Sequence, residues 1–116
     1  MRAKIYGIKN CDTMKKAFQW LTDHGVRHEF HDYKKSGVSA SLLNTWSATL
    51  GWEALLNVRG TTWRKLPESD RQDMNEAKAL QLMAQHPSLI KRPVLDHGGH
   101  LLLGFKADDY QHLFGR

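Results

Sequence analysis

One cysteine, three prolines and no long apolar run set the first limits on this 116-residue chain. The lone thiol, Cys11, cannot close a disulfide within the chain and cannot build a cysteine-rich zinc site. No stretch nears the roughly 18–20 uninterrupted apolar residues of a membrane-spanning helix. The opening Met1-Arg2-Ala3-Lys4-Ile5-Tyr6 has no apolar signal core and runs directly into patterned sequence. Nine glycines and three prolines, set beside four Trp, four Phe and three Tyr, exclude collagen-like and disordered classes. One domain is expected, because about 100–150 residues is the usual domain size and such a chain buries roughly two thirds of its unfolded surface. The expectation is a soluble, cytoplasmic α/β domain that partners no membrane.

What the chain does have is a basic balance: 17 Lys/Arg against 12 Asp/Glu leave a formal charge of +5. That favours an anionic partner such as nucleic acid, phosphate, an oxyanion or an acidic peptide. The positive charges are scattered, with short pairs only at Lys15-Lys16, Lys34-Lys35, Arg64-Lys65 and Lys91-Arg92. Without a polybasic tail, a basic stripe or an RNP-like aromatic motif, nucleic acid is not the expected partner. The basic residues read as a solvated surface, with room for a pocket lined by a few chosen cations. Seven histidines raise a metal site. His28 and His31 are three apart on an expected strand and face opposite sides. His97 and His100 flank the Gly98-Gly99 turn but have no third ligand, so no metal is expected.

Ala3 to Ile8 alternates at period two and predicts a strand. From Asp12 to His24 the period changes, and Met14, Ala17, Phe18 and Leu21 form the stripe of a helix stopped by Gly25. Val26 to Tyr33 predicts a second, partly exposed strand, followed by a polar loop from Lys34 to Val38. Strand, helix, strand within 33 residues is a βαβ unit, which favours a parallel pair. Beyond it the strand signal disappears. Ser39 or Ser41 caps a helix carrying Leu42, Leu43, Trp46 and Leu50 and stopped by Gly51. Trp52 to Val58 predicts a short turn, Pro67 the first turn of another helix, and Asn75 to Gln85 a helix closed by His86-Pro87. Strands return at Pro93-Val94-Leu95 and His100-Leu101-Leu102-Leu103 across a turn at 96–99, and Asp108 to Phe114 predicts a terminal helix. The order is βαβ, an all-helical insertion over residues 39–88, then ββα, within one domain spanning 1–116. Trp46, Trp52 and Trp63 read first as core of that insertion, and otherwise as an interaction surface.

Cys11 falls where the first strand hands over to the first helix. Unpaired amides and the macrodipole at a helix N-terminus stabilise an anion, and Lys15 and Lys16 add positive potential, so a thiol there ionises readily. The alternative is a small buried hydrophobe. Met14 stands where a dithiol motif would place its second cysteine, so any redox cycle must borrow a thiol from glutathione or a partner protein. Arg92-Pro93 opens a strand, where a proline forfeits a ladder donor. By itself it reads as an ordinary trans proline.

The segments Tyr6-Gly7-Ile8-Lys9-Asn10-Cys11-Asp12-Thr13-Met14-Lys15-Lys16-Ala17, Leu55-Leu56-Asn57-Val58-Arg59-Gly60 and His86-Pro87-Ser88-Leu89-Ile90-Lys91-Arg92-Pro93-Val94, with the element order, resemble the arsenate reductase (ArsC)/Spx family and within it a small YffB-like branch. The resemblance implies a thioredoxin-like fold with a mixed four-stranded sheet and an α-helical insertion. It implies that Cys11 is the nucleophile, that Pro93 is cis, and that Arg92 belongs to an anion site. Arg59 falls at the place of a second site arginine, with Arg64 competing for it. In this family glutathione and glutaredoxin complete the reduction, so they are the implied partners, glutathione acting as co-substrate with no tightly bound cofactor. The family's third arginine is missing from Leu103-Gly104-Phe105-Lys106. Lys106 cannot supply a planar bidentate fork, which counts against arsenate itself as the substrate. The reading is a glutathione-dependent thiol–disulfide oxidoreductase with a single nucleophilic cysteine, Lys15, Arg59, Arg64 and Arg92 clamping the glutathione carboxylates. The alternative is an Spx-like, non-enzymatic regulator that binds RNA polymerase.

Overall fold

In the computed structural model, which describes residues 2–115, the chain runs through four strands and eight helices. They are β1 (Ala3–Gly7), α1 (Asp12–Asp23), β2 (His28–Asp32), α2 (Tyr33–Ser36), α3 (Ala40–Leu50), α4 (Trp52–Leu55), α5 (Thr61–Lys65), α6 (Glu68–Arg71), α7 (Glu76–Gln85), β3 (Val94–His97), β4 (His100–Leu103) and α8 (Ala107–Phe114), with a 3₁₀ turn at Pro87–Leu89 before β3. They divide into two compact units: Gly37–Lys91, which extends past the expected 39–88 at both ends, and the residues on either side of it.

The first unit holds one sheet, in the order β2-β1-β3-β4. β1 and β2 are parallel, with Ala3 opposite His28, whereas β3 is antiparallel to both β1 and β4. This is the mixed four-stranded sheet of a thioredoxin-like α/β fold. β1 does not keep the expected alternation: only Lys4 is exposed, and Tyr6 and Gly7 are buried along with Ala3 and Ile5. A central strand loses its solvent face, so its pattern turns nearly all apolar.

Helix α1 packs Met14, Ala17, Trp20 and Leu21 against Ile5, Leu95 and Tyr110. Leu21 is fully buried, and covering such a side chain contributes about 1.5–3 kcal/mol. Phe18, expected on the stripe, is only partly buried, whereas Trp20, which was not on it, is buried. The reason is tertiary: Tyr110 of α8 meets the Trp20 ring edge-on at 5.5 Å. Gly25, at φ +65°, turns the chain so that the Val26 N–H closes onto the Leu21 carbonyl at 2.9 Å. β2 stops one residue short of the expected Tyr33. Asp32 accepts the Lys34 N–H through Oδ1 at 3.0 Å, and 33–36 becomes a helical turn where a loop was expected. The β3–β4 turn is also tighter than expected: Asp96 and His97 belong to β3, leaving Gly98 and Gly99 as the turn itself.

In the second unit Ser39, not Ser41, caps α3, its Oγ accepting the Leu42 N–H at 3.1 Å. Asn75 caps α7 by accepting the Lys78 N–H at 2.9 Å. Ser47 donates to Glu76 Oε2 at 2.8 Å and ties α3 to α7. Trp46 is fully buried beside Leu43, as expected of a core residue, whereas Trp52 and Trp63 are half-exposed. The turn α5 was not legible in the sequence, and Pro67 sits at the cap of α6 instead of inside its first turn. After α4, the Asn57 N–H donates to Leu89 O at 2.7 Å and the Lys91 N–H to Leu55 O at 2.8 Å.

Candidate active site around Cys11

Cys11 is the N-cap of α1, in extended conformation, half-buried and unpaired. Its carbonyl accepts the Lys15 N–H at 3.0 Å and so starts the helix. Its sulfur looks onto the first turn. Burial by itself pushes the thiol up, but the Met14 N–H, the Arg92 side chain, the Thr13 N–H and the Arg92 charge together hold it below the ordinary thiol range. The sulfur makes no side-chain capping hydrogen bond by ordinary geometry. A neutral thiol is only a weak acceptor, and it is the charged sulfur that these donors stabilise.

Arg92 arrives from the opposite chain direction. Tyr6 of β1 faces Val94 of β3 in an antiparallel ladder, so β3 begins beside the end of β1 that leads to Cys11, and Arg92 lies just before it. The Arg92–Pro93 peptide is cis, as the resemblance implied and against the local sequence reading. Pro93 is buried, and its carbonyl accepts the Gly104 N–H at 2.8 Å, tying the site to the end of β4. Lys15 lies one turn into α1 with an exposed side chain. Four of the expected site residues, Cys11, Lys15, Arg92 and Pro93, therefore share one unit.

Arg59 and Arg64 belong to the other unit and are joined there to each other. The Arg64 guanidinium donates through Nη2 to the Arg59 carbonyl at 2.8 Å. The Arg59 N–H donates to Asn57 Oδ1 at 3.1 Å, fixing the turn before α5. Arg59 also lines a groove of about 530 Å³ with Trp52, Leu56, Val58, Trp63 and Lys91.

One neighbour was missed from sequence. Tyr33 follows β2 and is only 3% exposed. Its hydroxyl is closed to solvent and has no hydrogen-bond partner among the described residues. Burial, with Tyr6 nearby, holds the phenol far above its usual titration range, opposed by the Arg92 charge. Nothing in the local sequence flags it, because its place depends on the β1–β2 register. Three of the four candidate histidines make ring contacts, His28 with Phe18 at 6.1 Å, His31 with Tyr6 at 5.1 Å and His97 with Phe114 at 4.8 Å, whereas His100 is exposed. Among the described residues no three His, Cys, Asp or Glu side chains gather to hold a metal ion, and no helix is long and apolar enough to cross a membrane.

Known proteins resemble this chain over nearly its full length. The solved structure of a YffB protein (PA3664) superposes with a TM-score of 0.93 at 53% identity, covering 95% of this chain and 96% of that one. An uncharacterized protein of Haemophilus influenzae is 44% identical over 95% of this chain and 96% of its own length. A global transcriptional regulator Spx of Streptococcus pyogenes is 28% identical over 92% of this chain and 81% of its own. The ArsC family model matches residues 6–113, a span that includes Cys11, Arg92 and the whole sheet apart from the first residues of β1, and the chain belongs to the ArsC family.

Proposed function

We propose that this ArsC-family chain is a glutathione-dependent thiol–disulfide reductase acting through Cys11 alone. The observation that carries the reading is a sulfur at a helix N-cap, held below the ordinary thiol range by two backbone amides and the Arg92 guanidinium against the opposing effect of burial. A thiolate is the attacking species in disulfide exchange. The Cys11 thiolate attacks the glutathione sulfur of a mixed disulfide, a new S–S bond forms to Cys11, and the bond to the substrate's sulfur breaks. The substrate leaves as a thiolate and takes a proton from solvent. A second glutathione thiolate then attacks the glutathione sulfur on Cys11, releasing glutathione disulfide and restoring the Cys11 thiolate. Two glutathione electrons thus reduce the substrate, and no second protein cysteine is needed, in keeping with Met14 at the position where a dithiol enzyme has one.

Arg92 and the exposed Lys15 supply cations for the glutathione carboxylates. Arg92→Ala is expected to weaken glutathione binding by about 1–3 kcal/mol, the range for a hydrogen bond to a charged group. Calorimetry showing unchanged affinity would remove Arg92 from the binding site. The reaction fits the cytoplasm, where thiols are kept reduced, and glutaredoxin fits as a partner in recycling. Arsenate fits less well, because Lys106 stands near where a third arginine would be needed.

The deciding experiment is alkylation by iodoacetamide across pH, read by intact mass, where a single adduct reports Cys11 alone. A midpoint well below about 8.5, with turnover of a glutathione mixed disulfide that Cys11→Ser abolishes, supports the reductase. A midpoint at or above 8.5 with no turnover would leave the regulator reading, which the Spx relative favours. Capture of RNA polymerase subunits would then be its test.

A further inference from the structure

The reaction proposed for Cys11 uses nothing from the groove of the second unit, whose lining lies wholly within Gly37–Lys91. Its volume, about 530 Å³, falls within the roughly 300–1,000 Å³ of small-molecule sites. Backbone pairing holds its walls. Leu56 pairs with Ile90 in an antiparallel bridge, flanked by the bonds from the Asn57 N–H to Leu89 O and from the Lys91 N–H to Leu55 O. Asn57 Oδ1 accepts the Arg59 N–H and the Arg59 carbonyl accepts from Arg64, so the turn is fixed from both sides. Met74 is delivered by a segment that Lys78 anchors through the Ser69 and Gln72 carbonyls. The groove is formed before any ligand arrives.

Its lining is amphipathic. Trp52, Trp63 and Met74 are only half-buried, although Trp46 of the same unit is fully buried. Val58, 50% exposed, is the one exposed large hydrophobic side chain among the described residues, and it lies in the same groove. Apolar side chains gathered in one concavity and left in water mark a binding surface. Beside them stand Arg59, Lys91 and Glu53, all exposed. Their charged heads make no hydrogen bond or ion pair among the described residues. Two cations against one acid leave a single net positive charge, which suits a monoanion. A neutral apolar ligand would take water from two cations without return, and a phosphate dianion would meet Glu53. Flat indole faces and a thioether favour an aromatic ring, and the guanidinium fork favours a carboxylate.

We propose that this groove binds a small aromatic monocarboxylate of one or two rings. The ring lies against Trp52, Trp63, Val58 and Met74, and the carboxylate meets Arg59 and Lys91. The site is separate from the Cys11 chemistry and does not rest on the glutathione reading.

The test is calorimetric titration of the full chain with 2-naphthoate and with 2-naphthylmethanol, which has the same rings and no charge. Naphthoate is expected to bind the wild type at one saturable site, and more tightly than the alcohol. Arg59→Gln and Lys91→Gln should each weaken naphthoate about threefold to fivefold, the range of an exposed charge pair, and leave the alcohol unchanged. Glu53→Gln should tighten naphthoate about twofold, a gain that a damaged fold would not produce. Trp63→Ala should weaken both probes about tenfold. Absence of saturable naphthoate binding to the wild type would overturn the proposal. So would equal responses of both probes to Arg59→Gln, or naphthoate binding that survives Trp63→Ala unchanged. Saturating glutathione and Cys11→Ser are expected to leave naphthoate binding as it is. Displacement by glutathione, or loss in Cys11→Ser, would make the groove part of the Cys11 site and overturn its separateness while sparing the glutathione reading.

Discussion

Cys11 is positioned by two pieces of backbone that the sequence keeps eighty residues apart. The first, the strand-to-helix junction at 7–12, is local and was legible from periodicity. The second, Arg92, became a sulfur ligand only through the pairing of β3 with β1. The lowered thiol has a consequence for stability whose sign is definite. An acid with a depressed folded-state pKa stabilises the fold fully above its unfolded pKa, near 8.5 for a free thiol, and loses that contribution as pH falls through the folded value. Wild type should therefore gain stability relative to Cys11→Ser as pH is raised from about 6 to about 9, read from urea midpoints. Arg92→Ala should shrink that gain and move the alkylation midpoint upward. A difference between wild type and Cys11→Ser that is flat with pH would mean the thiolate is not stabilised in the fold.

The elements that form the site press on one another at Gly7 and Met14. A Cβ added at Gly7 would collide with the Met14 thioether, coming within 2.7 Å of Cε. Met14 is fully buried, so its side chain has little room to yield. Gly7→Ala is expected to cost about 1–3 kcal/mol from overpacking, and Met14→Ala about 2–5 kcal/mol from the space it leaves. Joined, the two changes should cost less than the sum, by about 0.5–3 kcal/mol, because the added methyl enters the vacated space. Additive costs in chemical denaturation would show that the contact carries no energy. The same contact gives Met14 a second meaning. At the sequence level it excludes a dithiol; in the fold it is core, seated under the end of β1. The helices with clear periodicity and caps, α1, α3 and α7, emerged within a residue or two of expectation. The one-turn helices α2 and α5 did not, since four or five residues carry too little pattern to be read and Asp32 or Gly60 decides them locally.

At the scale of the molecule, the formal charge of +5 is spread over scattered lysines and arginines. Such a field draws anions toward the protein and is screened over about 10 Å at 0.1 M salt. Cys11 should therefore react several-fold more slowly with a dianionic aromatic disulfide when ionic strength is raised from about 0.01 to 0.5 M. The rate with neutral iodoacetamide should stay level. Equal salt dependence for both reagents would point to a change in the thiol itself, not to steering. Within the second unit, Arg59 and Arg64 illustrate what composition alone leaves open. Both were candidates for one role, and the fold spends Arg64 on the Arg59 carbonyl while Arg59 lines a groove with two half-exposed tryptophans.

The amino-acid order alone determined the chemistry available: one thiol at a strand-to-helix junction, no internal disulfide, no cysteine cluster, and the βαβ and ββα pieces whose periodicities are local properties of a few residues. Tertiary structure decided which of many cations meets that thiol. Arg92 does so because the antiparallel pairing of β3 with β1 starts β3 beside the end of β1 that leads to Cys11. Registers are set by which faces of distant strands are buried together, and that information is spread over the whole sheet. For the same reason Trp20 is buried where the helical stripe pointed to Phe18: its partner Tyr110 lies ninety residues along the chain, beyond the reach of any helical stripe.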